Sequence, residues 1–190
     1  ACFMLASRAI SSGQYDKAQE YLDRIPNRND TPDKRLLQAT IYIEQNQAEA
    51  AAKLLEQSLL TAVNDVQTIM YKLIDTNIAL GDKDTAAYVA ERVTKLAEAF
   101  DLNPYNTAVA HFTVAVANQD AAQTVAFLRE MFDSMSSVRK VQESPLYRRV
   151  TTNDTGTSMK ELIPPLIQEL KHSPEYQYLQ TSEELHTLIA

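Results

Sequence analysis

Few residues of this 190-residue chain have the types and spacing that chemistry requires. The three histidines, His111, His172 and His186, stand in separate segments, without the i, i+4 pairing of a helical HExxH zinc site. The three glycines, Gly13, Gly81 and Gly156, are isolated, so neither a phosphate-cradling P-loop nor a GxGxxG turn can form, and no GxSxG elbow occurs. His111, beside Phe112, reads as a half-buried helix histidine rather than a ligand or general base. The single cysteine, Cys2, sits in the apolar run Cys2-Phe3-Met4-Leu5 and reads as core filling rather than a reactive or lipidated thiol. It permits no internal disulfide, which fits a reducing compartment. Asn29-Asp30-Thr31 and Asn153-Asp154-Thr155 match the glycosylation tripeptide, a pattern common by chance, and Thr31 is better explained as a helix cap. No enzyme activity, metal or cofactor is expected.

The elements that must position any site are helices. A composition of 45% hydrophobic and 23% charged residues is that of an ordinary folded domain, and 190 residues bury a sizeable core. With only 3 Gly and 7 Pro, a many-stranded sandwich or barrel would lack turn residues, whereas Ala, Leu, Gln and Glu abound. The net charge of -7 argues against a nucleic-acid footprint. It is unevenly spread: residues 61–135 hold 5 basic against 10 acidic side chains, and residues 136–156 hold 4 against 2, from Arg139, Lys140, Arg148 and Arg149. That basic group reads as a solvated loop pairing with the acidic 61–135 surface. No run approaches the roughly 18 apolar residues of a membrane span, and the start lacks a signal-peptide pattern, so the cytoplasm is expected. The opening without Met suggests a piece of a longer protein.

Internal repetition organises the chain. Gly13 stands between two amphipathic stretches, with Ala18 five residues on and Tyr21 eight residues on, and Pro26 ends the second stretch. The same order returns at Asn46 (Ala51, Leu54) after 33 residues, at Gly81 (Ala86, Val89) after 35, and more faintly at Asn118-Gln119-Asp120. Each Gly or Asn suits a left-handed turn closing a helical hairpin. Thr31-Pro32 and Asn103-Pro104 read as caps followed by Pro at the first helical position, and Asn64-Asp65 as the cap of a helix Val66–Leu80. Ile69, Leu73, Thr76 and Leu80 line one helix edge; Val89, Val93, Leu96 and Phe100 line the next. Tyr15, Tyr21 and Tyr42 fall at packing positions. Beyond residue 136 the rhythm breaks: 151–158 is a polar run read as an exposed, mobile loop, a short turn is expected at 159–163, and a helix should start at Pro164-Pro165 and run to about His172. Ser173-Pro174 and Thr181-Ser182-Glu183-Glu184 each look like the start of a short helix.

The spacing, the Gly or Asn turn, the Ala at plus five and the large residue at plus eight resemble the tetratricopeptide repeat. The aromatic early in the first helix is missing, and Ile25, Ser58 and Val93 stand where a second Ala is usual. Tyr21-Leu22-Asp23-Arg24-Ile25-Pro26, Ile43-Glu44-Gln45-Asn46, Leu54-Leu55-Glu56 and Ser144-Pro145-Leu146-Tyr147 also resemble the C-terminal half of bacterial Xre-type helix-turn-helix regulators. The resemblance implies an all-α, right-handed superhelix of about four helical hairpins over residues 1–135, a basic and polar connection over 136–158 and a C-terminal helical cap over 159–190. It further implies a ligand-sensing or dimerisation domain of a transcriptional regulator, with the DNA-binding domain absent from this chain. The alternative is a freestanding protein-interaction scaffold. Partners would be a peptide, a protein or a second copy, with no nucleic acid touched directly and no membrane. In the repeat register the concave face carries Thr40, Glu44, Tyr71, Asp75, Asn106 and Thr113, polar side chains able to bond an extended ligand.

Overall fold

Helix-forming residues dominate, and the computed structural model, which describes residues 2–26, 34–137, 140–151 and 159–189, contains helices and turns with no strand among the described residues. The α-helices are α1 (Cys2–Ser11), α2 (Tyr15–Asp23), α3 (Arg35–Glu44), α4 (Ala48–Ala79), α5 (Lys83–Ala99), α6 (Pro104–Ala117), α7 (Ala121–Ser136), α8 (Ile163–His172) and α9 (Glu183–Leu188). Short 3₁₀ turns occupy Val141–Glu143, Met159–Leu162 and Pro174–Leu179. Among the described residues no helix is long and apolar enough to cross a membrane.

The four repeating turns are built alike. Gly13, Asn46, Gly81 and Gln119 have φ of 68°, 60°, 78° and 54°, the left-handed conformation that ends a helix. In each, the following amide reaches back to a carbonyl left open at the helix end: Gln14 to Ala9 (2.9 Å), Gln47 to Tyr42 (2.7 Å), Asp82 to Asn77 (2.9 Å) and Asp120 to Ala115 (3.1 Å). Five residues past each turn, Ala18, Ala51, Ala86 and Thr124 are at most 2% exposed, and at plus twelve Ile25, Ser58 and Val93 are also buried. Asp101 adds a left-handed turn outside the repeat (φ 50°), closed by the Leu102 amide on the Ala97 carbonyl at 2.9 Å.

Helix starts follow the local chemistry. Asn103 caps α6 by accepting from the Tyr105 amide, with Pro104 next, and Ser182 caps α9 by accepting from the Leu185 amide. Asp82 and Asp120 cap α5 and α7, accepting from the Thr85 and Gln123 amides. Pro164 and Pro165 lie in the first turn of α8, where no amide donor is needed. Ser173 precedes a 3₁₀ turn rather than an α-helix. One cap expectation is corrected: Asn64-Asp65 starts no helix, because α4 runs through both. The Asn64 carbonyl accepts from the Thr68 hydroxyl at 2.9 Å, as an interior helical residue does. Neither Gly nor Pro occurs between 48 and 79, and Asn and Asp each cost under about 0.7 kcal/mol inside a helix, so nothing breaks it. The caps at Thr31-Pro32, both glycosylation tripeptides, Arg139, Gly156 and most of the polar 151–158 run lie outside the described residues.

Two compact units share the chain: Ala1–Ala62 with Tyr147–Thr151, and Val63–Leu146 with Thr152–Ala190. In the first, α1, α2 and α3 bury Ala6, Ala9, Ala18, Leu22, Ile25 and Ile41. In the second, Ile74 of α4, Ala86, Ala90 and Val93 of α5, and Ala110 and Val114 of α6 form one cluster. A larger one joins α6 and α7 to the C-terminal helices through Phe112, Leu128, Leu170, Tyr176, Leu179 and Leu185. Tyr15 and Tyr21 are half-buried against the first unit's core, and Tyr42 is half-buried as well.

Candidate functional site

The six polar residues named from the repeat register divide between the units. In the first, α3 carries Thr40 and Glu44. Thr40 donates its hydroxyl to the Leu36 carbonyl of its own helix at 3.0 Å, and Glu44 is exposed and accepts from the Tyr15 hydroxyl at 3.1 Å. Desolvation first, then the bond to the Glu44 carboxylate and its charge, raise the Tyr15 pKa. Thr40 lies between the exposed Leu36 (60%) and Ile43 (53%), so this edge of α3 is more apolar than its threonine suggests.

In the second unit, α4 and α6 bring Tyr71 and Asn106 together: the Tyr71 hydroxyl donates to the Asn106 backbone carbonyl at 2.8 Å. Tyr71 packs against the Ile74–Val114 cluster, and burial raises its pKa strongly, with a further push from Tyr105. It therefore ties two helices together instead of standing on the outside. Asp75, one turn on, is exposed and pairs with Lys72 at 3.3 Å. Thr113 donates to the Val109 carbonyl of its own helix at 3.0 Å. Two open depressions, of about 400 and 340 Å³, lie beside α1 and α2, around Gly13 and Tyr15 and around Arg8 and Tyr21, and none of the six residues lines either of them.

The residues weighed for chemistry have structural partners. His111 Nε2 lies 2.9 Å from the Thr94 hydroxyl, and its ring stacks on Phe127 with centroids 5.1 Å apart. Cys2 is partly buried against the first unit's core. Among the described residues no group of three His, Cys, Asp or Glu side chains is placed to hold a metal ion.

The basic segment is placed differently from its sequence expectation. Arg149 pairs with Glu49 (2.8 Å) and Glu56 (2.7 Å), not with the 61–135 surface, and its backbone amide donates to Glu56 at 2.6 Å. Burial pushes the Glu56 carboxyl up, but the Arg149 amide, guanidinium and positive charge outweigh it and hold the pKa below the ordinary value. Beside it, Tyr147 and Val150 are buried, while Lys140 and Arg148 are exposed. Arg149 is thus a fastening of 147–151 to α4, within the first unit.

The surface feature that sequence reasoning half found is on α4. Ile69, Leu73, Thr76 and Leu80 were legible as a helix edge; the structure leaves it open, with Ile69 61%, Leu73 46% and Leu80 75% exposed, and Val66 joins it at 45%. No protein-family model, no curated protein and no solved structure matches this chain.

Proposed function

We propose that this chain is a protein-interaction domain built of tetratricopeptide-like hairpins, serving as the ligand-sensing or dimerisation part of a bacterial transcriptional regulator. The observation that supports it is the shared construction of the four turns at Gly13, Asn46, Gly81 and Gln119, each followed at plus five by a small, fully packed side chain. Repeated helical hairpins present long helix faces, and such faces dock extended peptides or other helices rather than small reactive substrates. On this reading the right-handed superhelix, the cytoplasmic setting and the peptide or protein partner belong together. The net charge of -7 leaves DNA contact to a separate reading head.

The gene tests it. In frame upstream of the Ala1 codon, the reading requires a helix-turn-helix segment with a recognition helix. A frame without one removes the regulator and leaves the freestanding interaction scaffold.

A further inference from the structure

One stretch of the first unit is foreign to it in sequence. Residues of the second unit, 63–146 and 152–190, border Tyr147–Thr151 on both sides, yet the stretch belongs with Ala1–Ala62. It adds no helix there, so side chains hold it in place. Tyr147 is fully buried and Val150 is buried, while Arg148 between them is exposed. This alternation of buried anchors with open positions is how a bound peptide, rather than a helix of the scaffold, meets a surface.

The polar contacts select for residue type. Glu49 and Glu56, two turns apart, share one side of α4. Glu56 Oε2 accepts from the Arg149 backbone amide at 2.6 Å, its Oε1 accepts from Arg149 Nη1 at 2.7 Å, and Glu49 accepts from Arg149 Nε at 2.8 Å. A helix carboxylate that grips both the backbone and the side chain of a segment fixes its direction and demands an arginine there. The outer pair stands in water, Arg149 at 38% and Glu49 at 79% exposed, so it adds selectivity more than hold, and the buried Tyr147 and Val150 supply the hold. A tethered segment is offered to its site at an effective concentration on the order of millimolar, which keeps it seated even when its intrinsic affinity is only that of an ordinary peptide ligand.

We propose that the surface of the first unit around Glu49 and Glu56 is a peptide-recognition face, that Tyr147–Thr151 is its resident occupant, and that a partner segment of the same chemistry replaces it. That chemistry is an aromatic residue, an arginine two positions on and an aliphatic residue next. The proposal rests on the interaction-domain reading and gives its partner a chemical class.

Fluorescence anisotropy of a labelled synthetic peptide of residues 144–151, titrated with the full chain and its variants, tests it, with circular dichroism run alongside. Tyr147→Ala removes the resident segment's anchor, so this variant should bind the peptide about 100-fold or more tighter than the wild type, whose own segment competes. Arg149→Ala leaves the buried anchors in place and should bind it roughly threefold to tenfold tighter than the wild type, which keeps the test decisive should Tyr147→Ala fail to fold. A peptide with Ala in place of its Tyr, or Glu in place of its second Arg, should bind about tenfold or more weaker. Glu56→Gln added to either host should weaken binding of the unaltered peptide by about tenfold. Wild type and folded variants that bind alike, absence of binding included, or altered peptides that bind as well as the original, overturn the proposal and make the segment a fixed part of the core. None of these results bears on the gene upstream of Ala1, so failure here and failure of the regulator reading are distinct.

Discussion

Two polar side chains, Tyr71 and Glu56, act as fastenings, and their titration exposes that role. Burial favours the neutral Tyr71 phenol, so the stability it contributes is complete below the ordinary tyrosine pKa of about 10 and is lost as pH rises through its raised value. Tyr71→Phe should cost about 1 kcal/mol through loss of the bond to the Asn106 carbonyl, seen as a lower melting temperature. It should also remove amplitude from the last phase of an alkaline tyrosinate titration, where Tyr176, pushed up to about 12, also ionises. Glu56 has the opposite sign. Its lowered pKa means that its contribution is complete above the ordinary carboxylate value of about 4.3 and disappears as pH falls through the folded-state value. Urea unfolding should therefore show Glu56→Gln weaker than wild type at neutral pH, with the gap closing in acid; a constant gap would show that the Arg149 pairing is not its source.

At the scale of the element, the turns decide where helices stop. Gly81 has φ of 78° and open space around a built Cβ, so a side chain there meets backbone strain and no neighbour. Gly81→Val should lower stability by at least about 1–2 kcal/mol, while Gln119→Gly, which relieves the same strain at φ 54°, should raise it by about 0.5–1 kcal/mol. Thermal melts of the two variants read opposite shifts if both positions carry equivalent turns. Helix α4 illustrates the converse. Asn64-Asp65 resembles a cap in sequence, yet a cap side chain acts only where the preceding backbone leaves the helix, and here the Leu59–Ala62 stretch before it is already helical.

At the scale of the whole molecule, the segment Tyr147–Thr151 belongs to the unit formed by Ala1–Ala62, although 84 residues separate Ala62 from Tyr147. Tyr147 is fully buried there. Tyr147→Ala should cost about 3–5 kcal/mol, and native-state hydrogen exchange should register the loss in α1, α2 and α3. Unchanged protection of those amides would remove Tyr147 from that core.

The sequence by itself determined the helical class, the four turns and most helix starts, because these are local: a left-handed residue, a capping oxygen or a proline acts within one turn of chain. It also showed an Ala recurring five residues after three of the turns, at Ala18, Ala51 and Ala86, which the structure buries. Burial was decided only by the tertiary structure. The edge Ile69, Leu73, Leu80 and the edge Val89, Val93, Leu96 have the same helical periodicity, yet the first is open and Val93 is fully buried, since periodicity states which residues share a face and not whether another helix arrives to cover it. The same reason separates Tyr71 from Asp75, one turn apart: the phenol meets the Asn106 carbonyl 35 residues on, while the carboxylate faces water. Arg149 found Glu49 and Glu56 about a hundred residues back because a charge is long-ranged and unselective until the fold brings one partner within bonding distance.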